Sequence, residues 1–220
     1  MNGIYLFSLI IWLFMVAGCS APAQRLSFDF EQETVEAIPE GWSEHHYGEG
    51  RSRWRIVDDK GNKVLAQLQH DNPRAHFNIV VYDDVLLSDV MMQVRFRAVK
   101  GSIDRGGGLL WRYQDSCNHY IVRANPLENN VVLYKMAQCE RTDLPLIDKG
   151  RTYGLHVRPM HDGWHTLRLI AKGDLFTVFL DGNELFQVKD STFRAPGKIG
   201  LWTKADAVTY FDQLQVEELH

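Results

Sequence analysis

No run of basic residues interrupts the 220-residue sequence, and its formal net charge is −4. A nucleic-acid partner needs a basic footprint, so none is expected. No long segment repeats its apolar residues at the 3.6-residue period of a helix, which argues against a helical fold. The longest apolar run, Ile4 to Ala17, is shorter than the ~20 residues a helix needs to cross a bilayer. Common catalytic signatures are missing: there is no His-Glu-x-x-His, no Gly-x-Ser-x-Gly and no phosphate loop. Cysteine is scarce, at three residues, and has no second ligand pair at zinc spacing. The histidines at 45, 46, 70 and 76 read as solvated loop residues, so no metal is expected. No repeat, low-complexity tract or linker divides the chain.

What is present is period-two alternation. Short candidate strands run from Leu26–Glu31 to Val208–Val216, with long ones at Val90–Val99, Gly107–Tyr113, Asn118–Asn125 and Trp164–Ala171. Turn signals separate them, among them Lys172-Gly173-Asp174, Asp181-Gly182-Asn183 and Ala195-Pro196-Gly197. The expected fold class is all-β, a two-sheet antiparallel jelly-roll sandwich. Residues 138–162 form the longest irregular stretch, a rim loop or a crossover.

The apolar run ends in Val16-Ala17-Gly18-Cys19, which resembles the lipobox of bacterial lipoproteins. The resemblance implies a signal peptide at residues 1–18 and a lipidated Cys19. A tether would follow at 19–25, then one domain at 26–220. It implies an exported protein anchored in the bacterial cell envelope by lipid. Ser20 points to the outer membrane, facing periplasm or cell surface. Met1 to Phe7 contains no Lys or Arg, so an uncleaved N-terminal anchor stands as the alternative. An oxidising compartment favours pairing of the other two cysteines, Cys117 and Cys139. Asn118–Asn125 and Val131–Met136 read as a hairpin. Setting Asn125 opposite Val131 also sets Cys117 opposite Cys139 at its open end. Free buried thiols are the alternative.

Three stretches carry a family resemblance. They are Gly106-Gly107-Gly108-Leu109-Leu110-Trp111 with Asn118-His119-Tyr120, Trp164-His165-Thr166 with Asp181-Gly182, and Gly197-Lys198-Ile199-Gly200-Leu201-Trp202 with Phe211-Asp212. Together they resemble the laminin G-like members of the concanavalin A-like superfamily. They are most similar to exported bacterial proteins with the 3-keto-disaccharide hydrolase domain. The match covers roughly residues 88–217 and implies a concanavalin A-like sandwich, a fold that hosts lectins, hydrolases, lyases and adhesive modules alike. Family 16 glycoside hydrolases on this fold carry Glu-x-Asp-x-Glu on one strand. Here Asp89-Val90-Met91-Met92-Gln93-Val94-Arg95 has one carboxylate. The Asn-Ser-Gly strand motif associated with 3-keto-disaccharide hydrolases is also not evident after Gly108. Related lectins hold calcium, for which Asp71 and Asp115 are the candidates; no other cofactor is expected.

Parity of the two central hairpins sorts their side chains. Trp111, Tyr120, Val122, Ala124, Val132, Tyr134 and Met136 fall on one face, expected to be core. Arg112, His119, Arg123, Asn125 and Lys135 fall on the other, and Trp202 is opposite in parity to the core residues Ile199 and Leu201. That polar face is either solvated or the concave glycan site of the superfamily. Two Arg and a Lys there would suit an acidic sugar. The expected function is a non-catalytic, carbohydrate-binding lipoprotein with a glycan ligand. The alternatives are a glycoside-cleaving enzyme working around Arg112, His119, Arg123 and Asp206, and a structural or protein-interaction module.

Overall fold

A computed structural model describes residues 23–220. The expected signal peptide and the lipidated Cys19 lie outside the described residues. In chain order the strands are β1 (Arg25–Phe28), β2 (Trp42–Tyr47), β3 (Trp54–Asp58), β4 (Lys63–Gln67), β5 (Phe77–Leu87), β6 (Val90–Lys100), β7 (Gly107–Asp115) and β8 (Asn118–Asn125). They continue with β9 (Asn130–Ala137), β10 (Glu140–Asp143), β11 (Leu155–His156), β12 (His165–Lys172), β13 (Leu175–Leu180), β14 (Asn183–Lys189), β15 (Gly197–Lys204) and β16 (Val208–Glu218). Sheet I has the order β14-β13-β12-β6-β16-β4-β3, with β1 also on β16. Sheet II has the order β10-β9-β8-β7-β15-β5-β2, with β11 also on β9. The chain is therefore an all-β antiparallel sandwich. Strands β10 and β11 occupy part of the stretch read as irregular, and β2 was not anticipated.

Alternation works as the pattern demands in sheet I. Val90, Met92, Val94 and Phe96 of β6 point into the core, while Gln93, Arg95 and Arg97 face out. Opposite them, Trp111, Tyr120, Val122, Leu133 and Leu201 of sheet II complete the main core with Phe176 and Phe211. Burying each such side chain contributes about 1.5–3 kcal/mol, which drives the two sheets together. Gly173 and Gly182, with φ of 58° and 80°, supply the left-handed positions that close the β12–β13 and β13–β14 turns.

Two registers differ from expectation. Asn125 pairs with Asn130, not Val131. The Asn125 side-chain oxygen accepts from the backbone of Leu127 and Glu128, and Asn129 adopts φ 50°. These contacts close the loop one residue sooner. A one-residue slip turns every β9 side chain over. Lys135 therefore lies opposite Tyr120 on the core side, where its Nζ reaches Asp190 at 2.9 Å and Thr192 at 2.7 Å. Val132, Tyr134 and Met136 move to the outer face. The disulfide still forms: Cys117 and Cys139 are bonded with Cα atoms 4.1 Å apart. Gln138 and Cys139, at φ 52° and 67°, take up the extra residue in the turn. The second change is a bulge between Trp111 and Asp115, in which Arg112 has φ 48°. It points Arg112 away from the outer face. A third irregularity, between Asp212 and Gln215, leaves Tyr210 facing out and Phe211 in the core.

Sheet II is apolar on both faces. Its outer face carries a second cluster: Phe77, Ile79, Val81, Leu110, Tyr113, Ile121, Met136 and Trp202. The sheet curls strongly around it. Arg141 of edge strand β10 has its guanidinium 4.5 Å from the ring of Tyr134 and 5.1 Å from the ring of Phe77. Phe77 sits on β5, five strand spacings away, or about 24 Å along a flat sheet. Curling brings the two together and closes the face.

Candidate functional site

The outer face of sheet II was expected to be polar and open. It is instead covered by a packed, mostly aromatic cluster with buried polar groups set among the rings. Trp202 is fully buried there, its ring 5.3 Å from that of Phe77. His119 is fully buried beside Tyr113, with ring centroids 5.4 Å apart. Among the described residues, six of the ten buried side-chain atoms without a hydrogen-bond partner belong to this one face: Tyr113 Oη, His119 Nε2, Arg123 Nε, Tyr134 Oη, Arg141 Nη1 and Trp202 Nε1. The Tyr134 hydroxyl faces Tyr153 without reaching hydrogen-bond geometry; their rings are 6.0 Å apart. Leaving a buried donor or acceptor unpaired costs about 1–3 kcal/mol. A native fold holds few such atoms, so six on one face need an explanation.

His119 has a defined tautomer. Its Nδ1 lies 3.0 Å from the Asp115 carbonyl oxygen, which can only accept, so the proton sits on Nδ1 and Nε2 offers a lone pair. Burial holds its pKa down at about 4 despite that hydrogen bond. Burial likewise pushes the Tyr113 hydroxyl well above its usual pKa, so it stays a neutral donor.

One edge of this cluster is ionic. Arg123, fully buried, donates to Asp104 at 3.0 Å, to Glu128 at 2.7 Å and to Asn130 at 3.0 Å. Lys204 lies 3.6 Å from Asp104. Asn125 donates to Asp104 at 3.2 Å. Burial raises the Asp104 carboxyl against the pull of Arg123 and Lys204. Asp206 accepts from the backbone of Ser102, Ile103 and Asp104 at 2.7–3.0 Å, and from the Ser102 hydroxyl at 2.9 Å. It is thereby a brace that aims Asp104 at Arg123, and its oxygens are spent.

Of the sequence-selected residues, His119, Arg123, Asn125 and Trp202 come together on this face, and Arg112 and Lys135 do not. Arg112 is buried on the other side of β7. It donates to the carbonyls of Ser88, Phe193 and Gly173, each at 2.7 Å, and to Asp89 at 3.1 Å. Tyr113, Tyr134, Arg141 and Lys204 were missed. Asp71 lines a separate open pocket of about 610 Å³ with Glu49, Arg51, Gln69 and Asn72. There Arg51 donates to Gln69, Gln69 to Asp71, and Asn72 to the Arg51 carbonyl. These groups largely satisfy one another. Asp115, the other calcium candidate, accepts from Cys117 and Asn118 and caps its own turn. Among the described residues, no three His, Cys, Asp or Glu side chains gather as a metal site.

A family model described as a 3-keto-alpha-glucoside-1,2-lyase-like domain matches residues 36–217. The chain belongs to this 3-keto-disaccharide hydrolase family. No curated protein matches it. Among solved structures, this 3-keto-alpha-glucoside-1,2-lyase-like domain is similar to the carbohydrate-binding module CBM66 from Bacillus subtilis. Identity is 18%, coverage 80% of this chain and 94% of that one, and the TM-score 0.59. It is also similar to the GH43 protein BlXynB from Bacillus licheniformis, at 11% identity, 88% and 39% coverage and TM-score 0.60. A third is domain 4 of AbnA, a GH43 extracellular arabinanase from Geobacillus stearothermophilus in complex with arabinotriose. Here identity is 13%, coverage 89% and 93%, and the TM-score 0.52. At these identities the likeness establishes the shared sandwich fold.

Proposed function

We propose that the domain binds a carbohydrate on the curled face of sheet II, as a binding module of a lipid-anchored protein of the cell envelope. The observation that carries the proposal is the convergence of six unpartnered buried polar atoms on aromatic walls. Sugars present hydroxyls to the first and apolar ring faces to the second, and ligand sites combine these features in this proportion. The names of two similar structures, a carbohydrate-binding module and an arabinanase domain holding arabinotriose, support the ligand class. The anchor follows from the Val-Ala-Gly-Cys ending at Cys19.

Glycan-array binding of the purified protein, with and without a chelator, tests the proposal, with Tyr113→Phe beside the wild type. That change removes one unpaired hydroxyl. A sugar-binding role predicts two- to tenfold weaker binding from one lost hydrogen bond, with stability equal or higher. Unchanged binding with a higher melting temperature would show that the hydroxyl is merely buried.

The family description favours a second function, 1,2-elimination on a 3-keto-α-glucoside. The C3 ketone acidifies the proton on C2. A base takes that proton, the C1–O bond breaks, and the alcohol leaves with its electron pair and a proton, forming a C1=C2–C3=O enone. His119 Nε2 is the free base on this face. Ultraviolet absorbance from the enone, lost in His119→Gln, would establish catalysis; its absence leaves binding alone.

A further inference from the structure

Arg141 is the one member of the ionic end without an anionic partner among the described residues. Arg123 is shared by Asp104 and Glu128, and Lys204 faces Asp104. Asp143, at the end of β10, pairs with Arg151 of the following loop at 3.1 Å. The two carboxylates of the cluster are therefore taken by Arg123 and Lys204, and Arg141 is left over. Its guanidinium donates no hydrogen bond to any described residue, and its Nη1 is buried. It rests on the rings of Tyr134 and Phe77, 4.5 and 5.1 Å from their centres. Such contacts attract a cation but leave its N–H donors unused. Lys204 senses the surplus: burial first, then the Arg141 and Arg123 guanidiniums, hold its pKa below the usual lysine value, against Asp104.

We propose that Arg141 receives the carboxylate of an acidic sugar, so that the site selects uronic-acid glycans over neutral ones. The planar fork suits a carboxylate bidentately and a neutral hydroxyl less well. To accept it, the side chain lifts from the Phe77 and Tyr134 rings, which uncovers those ring faces for the sugar ring behind the acid. The two ring contacts oppose that movement, but the buried Nη1 has no hydrogen bond to break. The inference rests on the carbohydrate-binding proposal above and adds the class of sugar and the residue that selects it.

The test is a titration of the full-length protein with oligogalacturonates and oligoglucuronates, each beside its methyl ester. The ester keeps every hydroxyl and removes the charge. Wild-type protein is expected to bind an acid at least tenfold more tightly than its ester, with the difference shrinking as salt rises. In Arg141→Gln the preference should fall to within twofold, and in Arg141→Lys to an intermediate value. The melting temperature should hold, since Arg141 is only partly buried and its buried Nη1 has no hydrogen bond to lose. Equal binding of acid and ester by the wild type would overturn the inference and leave the carbohydrate proposal standing. A preference that survives in Arg141→Gln would do the same. Failure of the protein to bind any sugar, charged or neutral, would end both.

Discussion

Replacing Arg112 with alanine should unfold the protein earlier and leave ligand affinity intact. The side chain is 2% exposed and ties three loops together. Its donors hold Ser88 between β5 and β6, Gly173 between β12 and β13, and Phe193 between β14 and β15. Alanine strands those three carbonyls and leaves Asp89 without its 3.1 Å cation. Removing one partner of a buried ion pair costs about 3–5 kcal/mol. Asp89 is 26% exposed and keeps the Gly173 amide at 3.0 Å, so the low end applies, about 3 kcal/mol. In a domain of this size, 1 kcal/mol moves the melting temperature by about 2–4 °C, which predicts a fall of about 6–12 °C. The backbone adds a second signature. Arg112 sits at φ 48°, a conformation that a Cβ penalises. Arg112→Gly should therefore melt higher than Arg112→Ala, by about 1 kcal/mol of stability, reversing the usual order of those two residues. Calorimetry and binding at 20 °C read both outcomes. A melting temperature within about 2 °C of wild type, together with lost binding, would refute the structural role and return Arg112 to the ligand site.

The Cys117–Cys139 bond spans 22 residues and should contribute roughly 3 kcal/mol in the chain-entropy account. Reduction, or Cys117→Ser with Cys139→Ser, should lower the denaturation midpoint accordingly, and alkylation of native protein should label neither thiol. His119 makes stability depend on pH. Its folded pKa, about 4, lies below the unfolded value of 6.5, so the unfolded chain binds the extra proton between them. Stability is then full above about pH 6.5 and falls by up to about 3 kcal/mol as pH drops to 4; His119→Gln should flatten that slope in urea melts taken across the range. Cys19 should incorporate radiolabelled palmitate and hold the protein in the membrane fraction, with Cys19→Ala abolishing both. Membrane retention without label in the wild type would instead indicate an uncleaved anchor.

The all-β class, most of the strands and the disulfide were legible in the sequence because they depend on local facts. Alternation along β6 and β12 places one row of side chains inward wherever the sheet lies, and Gly173 and Gly182 mark turns by their freedom at positive φ. Cys117 and Cys139 were paired correctly although the β9 register was wrong by one residue. The Gln138–Cys139 turn absorbed the error. The faces were another matter. Parity says which residues share a side, and a loop one residue shorter or a single bulge decides which side it is. Asn125 closing on Asn130 moved Tyr134 out and Lys135 in, and the bulge after Trp111 withdrew Arg112. One cue was present: Ile79-Val80-Val81, Leu109-Leu110-Trp111, Tyr120-Ile121-Val122 and Val131-Val132-Leu133-Tyr134 are unbroken apolar runs, as expected of strands buried on both faces. What no local pattern contains is the curl of sheet II. It sets Arg141 over Phe77 from five strands away and turns an outer face into a covered one. That closeness is a sum of small twists over seven hydrogen-bonded strands, and only the assembled sheet performs it.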